Sequence, residues 1–209
     1  MKKQLFFIVM FLGFALPMFS QNKVENRIQL ARKLYAEGKD KIAFNADKDT
    51  PCNYATVVRK QNWPATGQRT ETTEFYYNEI ENEEEPYPVG YALCMVRNSY
   101  NVTVREHSEE YLYDDKGHPL FYYIRYDEFL SDDNDNTAKI ELRQYYDEEG
   151  DVIRTIYKMS DKSGKMKEIT EKSHPEVVES CQFMLRFVAD NFAHFKAVFD
   201  TIYNFEFDK

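Results

Sequence analysis

One short turn occurs three times in this chain, and it restricts the fold more than any other feature. It reads Tyr113-Asp114-Asp115-Lys116-Gly117, then Tyr146-Asp147-Glu148-Glu149-Gly150, then Ser160-Asp161-Lys162-Ser163-Gly164. In each copy an Asp at the first turn position is set to accept backbone N–H bonds. The Gly supplies the positive φ that closes the loop, as in a type I turn ending in a G1 bulge. Alternating apolar and polar residues flank every copy, the period of a half-buried strand. Three such turns in series describe an antiparallel meander.

The rest of the chain extends that pattern in both directions. Strands are predicted over 54–60, 69–77, 89–97, 102–113, 120–127, 138–146, 152–159 and 166–170. An acidic loop over 78–88 and a turn over 98–101 fall between them. Asn22 to Gly38 reads as a helix, capped by Asn22 with Glu25 three residues on, and stopped by Gly38. Ile42, Ala43 and Phe44 suggest one further short turn. At the far end Ser173 reads as a cap, with Pro175 in the first turn and Glu176 completing a capping box. Val177, Cys181, Met184, Val188, Phe192, Phe195, Phe199 and Ile202 follow at steps of three and four, with a bend at Asp190-Asn191. That stripe must be buried, and only a sheet is large enough to bury it. The expected fold is therefore α+β: an antiparallel meander of about eight strands, packed against an N-terminal helix and a long C-terminal helix.

The start of the chain suggests a compartment. Lys2 and Lys3, the apolar run Leu5–Leu16 and small Ser20 before Gln21 have the form of a secretory leader over residues 1–20. The run is short for a membrane span. Residues 21–209 then form a single exported domain, periplasmic or secreted, with no membrane span once the leader is removed. Without Lys2 and Lys3, 25 basic residues face 36 acidic ones. Such a balance argues against nucleic acid or anionic lipid as partner. Export would permit one disulfide among Cys52, Cys94 and Cys181. With no C-x-x-C and Cys181 on a helical apolar stripe, buried thiols are the preferred reading.

Few residues point to chemistry. His107, His118, His174 and His194 form no close ligand pair, and no G-x-S-x-G, Walker loop or G-x-G-x-x-G is present. Asp132-Asp133-Asn134-Asp135-Asn136 offers alternate oxygen ligands. A calcium loop would need Gly where Thr137 stands and Glu where Arg143 stands, so a polar hairpin loop fits better. No metal, cofactor or catalytic residue is assigned, and no enzyme is expected.

The aromatic residues give a different lead. The chain has 16 Tyr and 16 Phe but one Trp. Simple pairing across the Gly117 turn sets Leu112 opposite Leu120 and Tyr111 opposite Phe121. One face then holds Val102, Val104, Leu112, Leu120, Tyr122 and Ile124. The other holds Arg105, His107, Tyr111, Tyr113, Phe121, Tyr123 and Arg125. Around Gly150 the same rule groups Ile140, Leu142, Tyr146, Val152 and Ile156, opposite Glu141, Arg143, Tyr145, Ile153 and Tyr157. The aliphatic face belongs under the helix, and the aromatic face with cationic edges is the candidate binding surface.

From Glu110 to Ile169 the three Asp-x-x-Gly hairpins with flanking Tyr resemble the Tyr-Asp (YD-type) hairpin units of bacterial secreted proteins. The leader and small domain are similar to exported proteins of Gram-negative bacteria. That resemblance implies a compartment and no activity. The expected role is a noncatalytic exported binding or interaction module whose partner is a protein or glycan. The alternative is a periplasmic carrier of an apolar ligand such as a lipid or lipoprotein.

Overall fold

The computed structural model describes residues 2–46, 52–63, 67–102, 105–129 and 137–204, with side chains in the first helix from Asn22 onward. The elements run α1 (Lys2–Ala46), β1 (Tyr54–Trp63), β2 (Gly67–Ile80), β3 (Gly90–Val102), β4 (Arg105–Tyr113) and β5 (Pro119–Phe129). They continue β6 (Thr137–Tyr146), β7 (Val152–Ser160), β8 (Met166–Ile169), α2 (Pro175–Leu185) and α3 (Val188–Asn204). All eight strands form one antiparallel sheet in sequence order, the expected meander. Among the described residues no helix is long and apolar enough to cross a membrane.

The repeated turn is built as its sequence implies. In each copy the Asp accepts from two backbone N–H groups further round the loop. Lys116 and His118 donate to Asp114 Oδ1 at 3.0 and 2.8 Å, and Glu149 and Asp151 donate to Asp147 Oδ1 at 3.0 and 2.8 Å. Gly117 and Gly150 have φ of 78° and 88°, the left-handed region where a Cβ would meet the carbonyl.

Each of these two turns also carries a bulge that the simple pairing rule omits. Tyr113 pairs with Pro119, but Leu112 pairs with Phe121 and Tyr111 with Tyr122. Leu120 is the extra residue, next to a proline that has no N–H to give the ladder. Likewise Tyr146 pairs with Val152 but Tyr145 pairs with Arg154. One inserted residue exchanges the faces of everything beyond it. The expected grouping of Tyr111 and Tyr113 with Phe121 and Tyr123 is thereby corrected. Tyr111, Tyr113, Tyr122 and Ile124 share one side, while Leu112, Phe121 and Tyr123 share the other. On β7 the same slip sends Tyr157 to the first side and Ile156 to the second.

Both sides are covered. On one, Phe192 sets its edge against Tyr111, Tyr113 and Tyr146, with centroids 5.0–5.4 Å apart, and Phe199 meets Phe75 and Tyr77. The Tyr113 hydroxyl donates to the Phe192 carbonyl at 2.8 Å. On the other, Ile28, Ala31 and Ile42 of α1 bury against Tyr76, Met95, Leu112 and Phe121.

The helices depart from expectation in four places. Asn22 and Gly38 do not bound a helix, since α1 runs through both. Gly38 packs directly on β3: a Cβ there would stand 2.6 Å from Met95 Sδ. Its missing side chain serves close packing rather than a stop. Ser173 is not the N-cap; His174 is, without a side-chain cap bond. Ser173 instead closes the preceding turn, accepting from the Thr170 N–H and donating to the Thr170 carbonyl. The C-terminal helix breaks at Arg186-Phe187 rather than at Asp190-Asn191, and Tyr203 packs on the core where Ile202 was expected.

The three cysteines are free thiols: Cys52 exposed, Cys94 half-buried and Cys181 buried. Burial pushes both the Cys94 and Cys181 thiols up. The 132–136 segment weighed for calcium lies outside the described residues.

Candidate functional site

The bulge after Gly117 sends Phe121 and Tyr123 toward α1, where they border a groove. The helix contributes Tyr35, whose ring meets Phe121 edge-on at 5.1 Å and lies 6.2 Å from Tyr123. Tyr145, on the neighbouring strand β6, closes against Phe121 at 4.8 Å. Ile156 and Lys158 of β7 form the far wall, and the groove has a volume of about 460 Å3.

Polar contacts hold the rings in place. The Tyr35 hydroxyl donates to Glu110 Oε2, and Lys39 Nζ pairs with Glu110 Oε1 at 2.6 Å. Burial, then the Glu110 charge, drives the Tyr35 hydroxyl well above the usual tyrosine range, so it stays a donor. The Arg143 guanidinium lies 5.7 Å from the Tyr123 ring centre and donates to Glu141 Oε2 at 2.9 Å. That arrangement leaves a cation stacked on an aromatic face. Tyr123 is pushed up to about 12, first by burial and then by Glu141.

The ionic balance of this groove differs from that of the chain. Among the described residues its lining holds Arg32, Arg143 and Lys158 with Glu168, in a protein of net charge −9. An adjoining depression along α1 is lined by Val24, Leu30 and Ile153 with Lys23, Asp147 and Glu148 at its rim.

Six of the seven residues singled out in the sequence are therefore distributed over three places. Tyr111 and Tyr113 are 0% and 2% exposed in the core under α3. Phe121 and Tyr123 border the α1 groove. His107 and Arg125 line a separate polar trough of about 970 Å3 at the other end of the strands, with Ser99, Ser108 and Asp127. His107 stacks on Tyr100 at 5.1 Å and lies 5.7 Å from Tyr126. The side chain of Arg105 falls outside the described residues. Tyr35, Arg143 and Lys158 belong to the groove although no motif marks them. The available signal was Tyr35 on the apolar stripe of its helix, together with the alternation that puts Arg143 beside Tyr145.

A buried carboxylate lies on the opposite side of the sheet. Glu109 is 7% exposed and accepts hydroxyl donors from Tyr111 and, at 2.8 Å, Tyr100. Asn191 of α3 donates to the Tyr111 hydroxyl at 2.9 Å. Burial raises the Glu109 carboxyl above its ordinary value, against the lowering effect of its tyrosine donors. This network ties β3 and β4 to α3 within the core. Among the described residues no group of His, Cys, Asp and Glu is placed to hold a metal ion.

Comparison with family models, with curated proteins and with solved structures finds no match to this chain.

Proposed function

We propose that this protein is a noncatalytic interaction module, working outside the cytoplasm, that captures an acidic peptide segment of a partner protein in the groove between α1 and strands β5–β7. The observation that carries the reading is the combination in one open groove of Tyr35, Phe121 and Tyr123 rings with Arg143 and Lys158. Rings offer contact area at little rotamer cost, and a guanidinium already stacked on Tyr123 recognises carboxylates directionally. Cations concentrated in an otherwise acidic protein select an anionic partner for this groove, while the acidic remainder of the surface repels it. Lys2, Lys3 and the Leu5–Leu16 run support the location.

The test is fluorescence anisotropy with a labelled peptide alternating Glu and Phe, against a control alternating Lys and Phe. The Glu peptide binds, and Tyr123→Ser or Lys158→Glu weakens it by about tenfold or more, worth about 1.4 kcal/mol. Thermal midpoints stay within a few degrees of wild type, because both side chains are half-buried at a rim. Equal binding of the Lys peptide, or undiminished binding by both variants, overturns the reading. Native mass spectrometry that finds a copurified lipid in place of a protein would favour the carrier.

A further inference from the structure

Among the described residues the most exposed large apolar or aromatic side chain stands in the loop between β2 and β3. Tyr87 is 79% exposed and lies between Pro86 and Pro88. Glu81, Glu83, Glu84 and Glu85 precede it in the loop, Glu79 stands near the end of β2, and all of them are exposed. None of these carboxylates has a cation within ion-pair distance among the described residues. The loop is nevertheless closed. The Val89 N–H donates to the Ile80 carbonyl at 2.8 Å, the Glu85 N–H to the Asn82 carbonyl at 3.0 Å, and the Glu84 N–H to Asn82 Oδ1 at 3.2 Å. A proline on each side fixes φ next to Tyr87. A ring presented in this way on an ordered acidic loop loses little freedom when it is bound.

The α1 groove carries the complement of each feature. Tyr35, Phe121 and Tyr123 offer rings to a ring, and Arg32, Arg143 and Lys158 offer cations to carboxylates. Lys158 has no ion-pair partner among the described residues, and Arg32 meets only the exposed Glu25, at 3.9 Å. Two copies of a chain of net charge −9 repel each other over most of their surfaces. Charge therefore favours contact between copies where a cationic patch meets an anionic one, and groove and loop are such a pair.

The loop cannot fill the groove of its own chain. The pairing of Ile80 with Gly90 anchors it at the β2–β3 hairpin, whereas Arg143 lies on β6 and Lys158 on β7. In the sequential strand order β6 is three spacings from β3, roughly 14 Å across the sheet. A loop closed by its own backbone bonds does not stretch over that distance.

We infer that the acidic segment captured by the α1 groove is the β2–β3 loop of a second copy of this chain. Tyr87 enters among the rings, and Glu83, Glu84 and Glu85 face Arg143 and Lys158. The inference rests on the groove reading proposed above and names its partner. Loop and groove are different surfaces, so the contact is heterologous, and a copy whose groove is filled still has its own loop to offer.

The experiment is sedimentation velocity on the full chain between about 5 and about 300 µM, a range over which a modest interface shows its mass action. The mean mass is expected to rise with concentration. Lys158→Glu, which spoils the groove, holds the chain at the monomer mass. So does a loop variant that combines Tyr87→Ser with Glu83→Gln, Glu84→Gln and Glu85→Gln. Both keep the wild-type thermal midpoint, since the changed side chains lie at a rim or in water. Mixed in equal amounts, the two variants associate again, because each supplies the surface that the other lacks. A synthetic peptide of residues 79–89 disperses the wild-type assembly, and the same peptide with Tyr87→Ser is weaker by about tenfold or more. A monomer at every concentration, association that survives both variants, or a mixture that stays monomeric overturns the inference. If the chain is monomeric yet binds the peptide alternating Glu and Phe, the groove reading stands and only its partner is wrong. If that peptide also fails to bind, both fall.

Discussion

The same eight strands are sealed on one side and only bridged on the other. Under α2 and α3 the sheet is closed by interleaved rings, with Phe192 alone meeting Tyr111, Tyr113 and Tyr146. Under α1 the apolar contact is narrower, and the helix is fixed at polar anchor points: Arg27 on two hairpin turns, and Tyr35 and Lys39 on Glu110. Geometry explains the contrast. Eight strands at roughly 4.8 Å spacing make a sheet roughly 34 Å wide, and one helix with its side chains covers about 10–12 Å. A lone helix must leave strips of its sheet face beside it. On this side those strips became the aromatic groove and the polar trough.

The comparison is open to attack at several strengths. The largest effect is expected on the sealed side: Phe192→Ala should cost about 3–5 kcal/mol in urea denaturation, as a large ring removed from a filled core does. Ile28→Ala under α1 should cost about 2–4 kcal/mol, and less than Phe192→Ala in the same titration. A reversed order would mean that α1 holds the main core.

Next in size is the anchor itself. Arg27 Nη2 pairs with Asp114 Oδ2 at 2.9 Å, with side-chain exposures of 9% and 3%. Arg27→Met leaves that carboxylate buried without its cation and should cost roughly 3 kcal/mol. Asp114→Asn in the same chain should recover part of the loss, since an amide oxygen can still accept from Lys116 and His118. A strictly additive double-mutant cycle would show the pair to be uncoupled.

The turns offer a finer test. Gly117→Val and Gly150→Val should each cost about 1–2 kcal/mol because both hold positive φ. Gly117 should be the worse site: a Cβ there meets Lys196 Cε of α3 at 3.0 Å, whereas Gly150 has open space. Identical losses would remove α3 from the neighbourhood of the first turn.

The smallest expected effect is a slope. Burial holds Glu109 above its ordinary pKa of 4.5, so the folded state keeps a proton that the unfolded chain releases. Stability therefore falls as pH rises past the unfolded value and through the raised folded one. Glu109→Gln should flatten that decline in thermal midpoints taken from about pH 4 to about pH 8. A variant as steep as the wild type would assign the slope to other groups.

Strand order was legible because each Asp-x-x-Gly turn specifies a local hairpin, and consecutive hairpins leave little topological freedom. Face assignment was not, because a single extra residue at Leu120 inverted β5 against β4, and one at Ile153 did the same to β7. Period-two reasoning has no defence against an inserted residue. That is why Phe121 and Tyr123 were rightly kept together while Tyr111 and Tyr113 were wrongly joined to them. Gly38 misled for a related reason: glycine signals both a helix stop and a close approach, and only the position of Met95 distinguishes the two.

Arg27 also has a consequence for timing. Its side chain donates to the carbonyls of Tyr146 and Asp147, 119 and 120 positions further along the chain, as well as to Asp114. The first helix to leave the ribosome thus has no complete docking place until the second hairpin turn exists. Contacts so distant in sequence form late, and a chain holding them back stays open while it is made. Under the export proposed above, with residues 1–20 directing an unfolded chain through a membrane, this delay is useful: the segment that follows them is the last to be locked, and the lock is supplied by residues that cross after it.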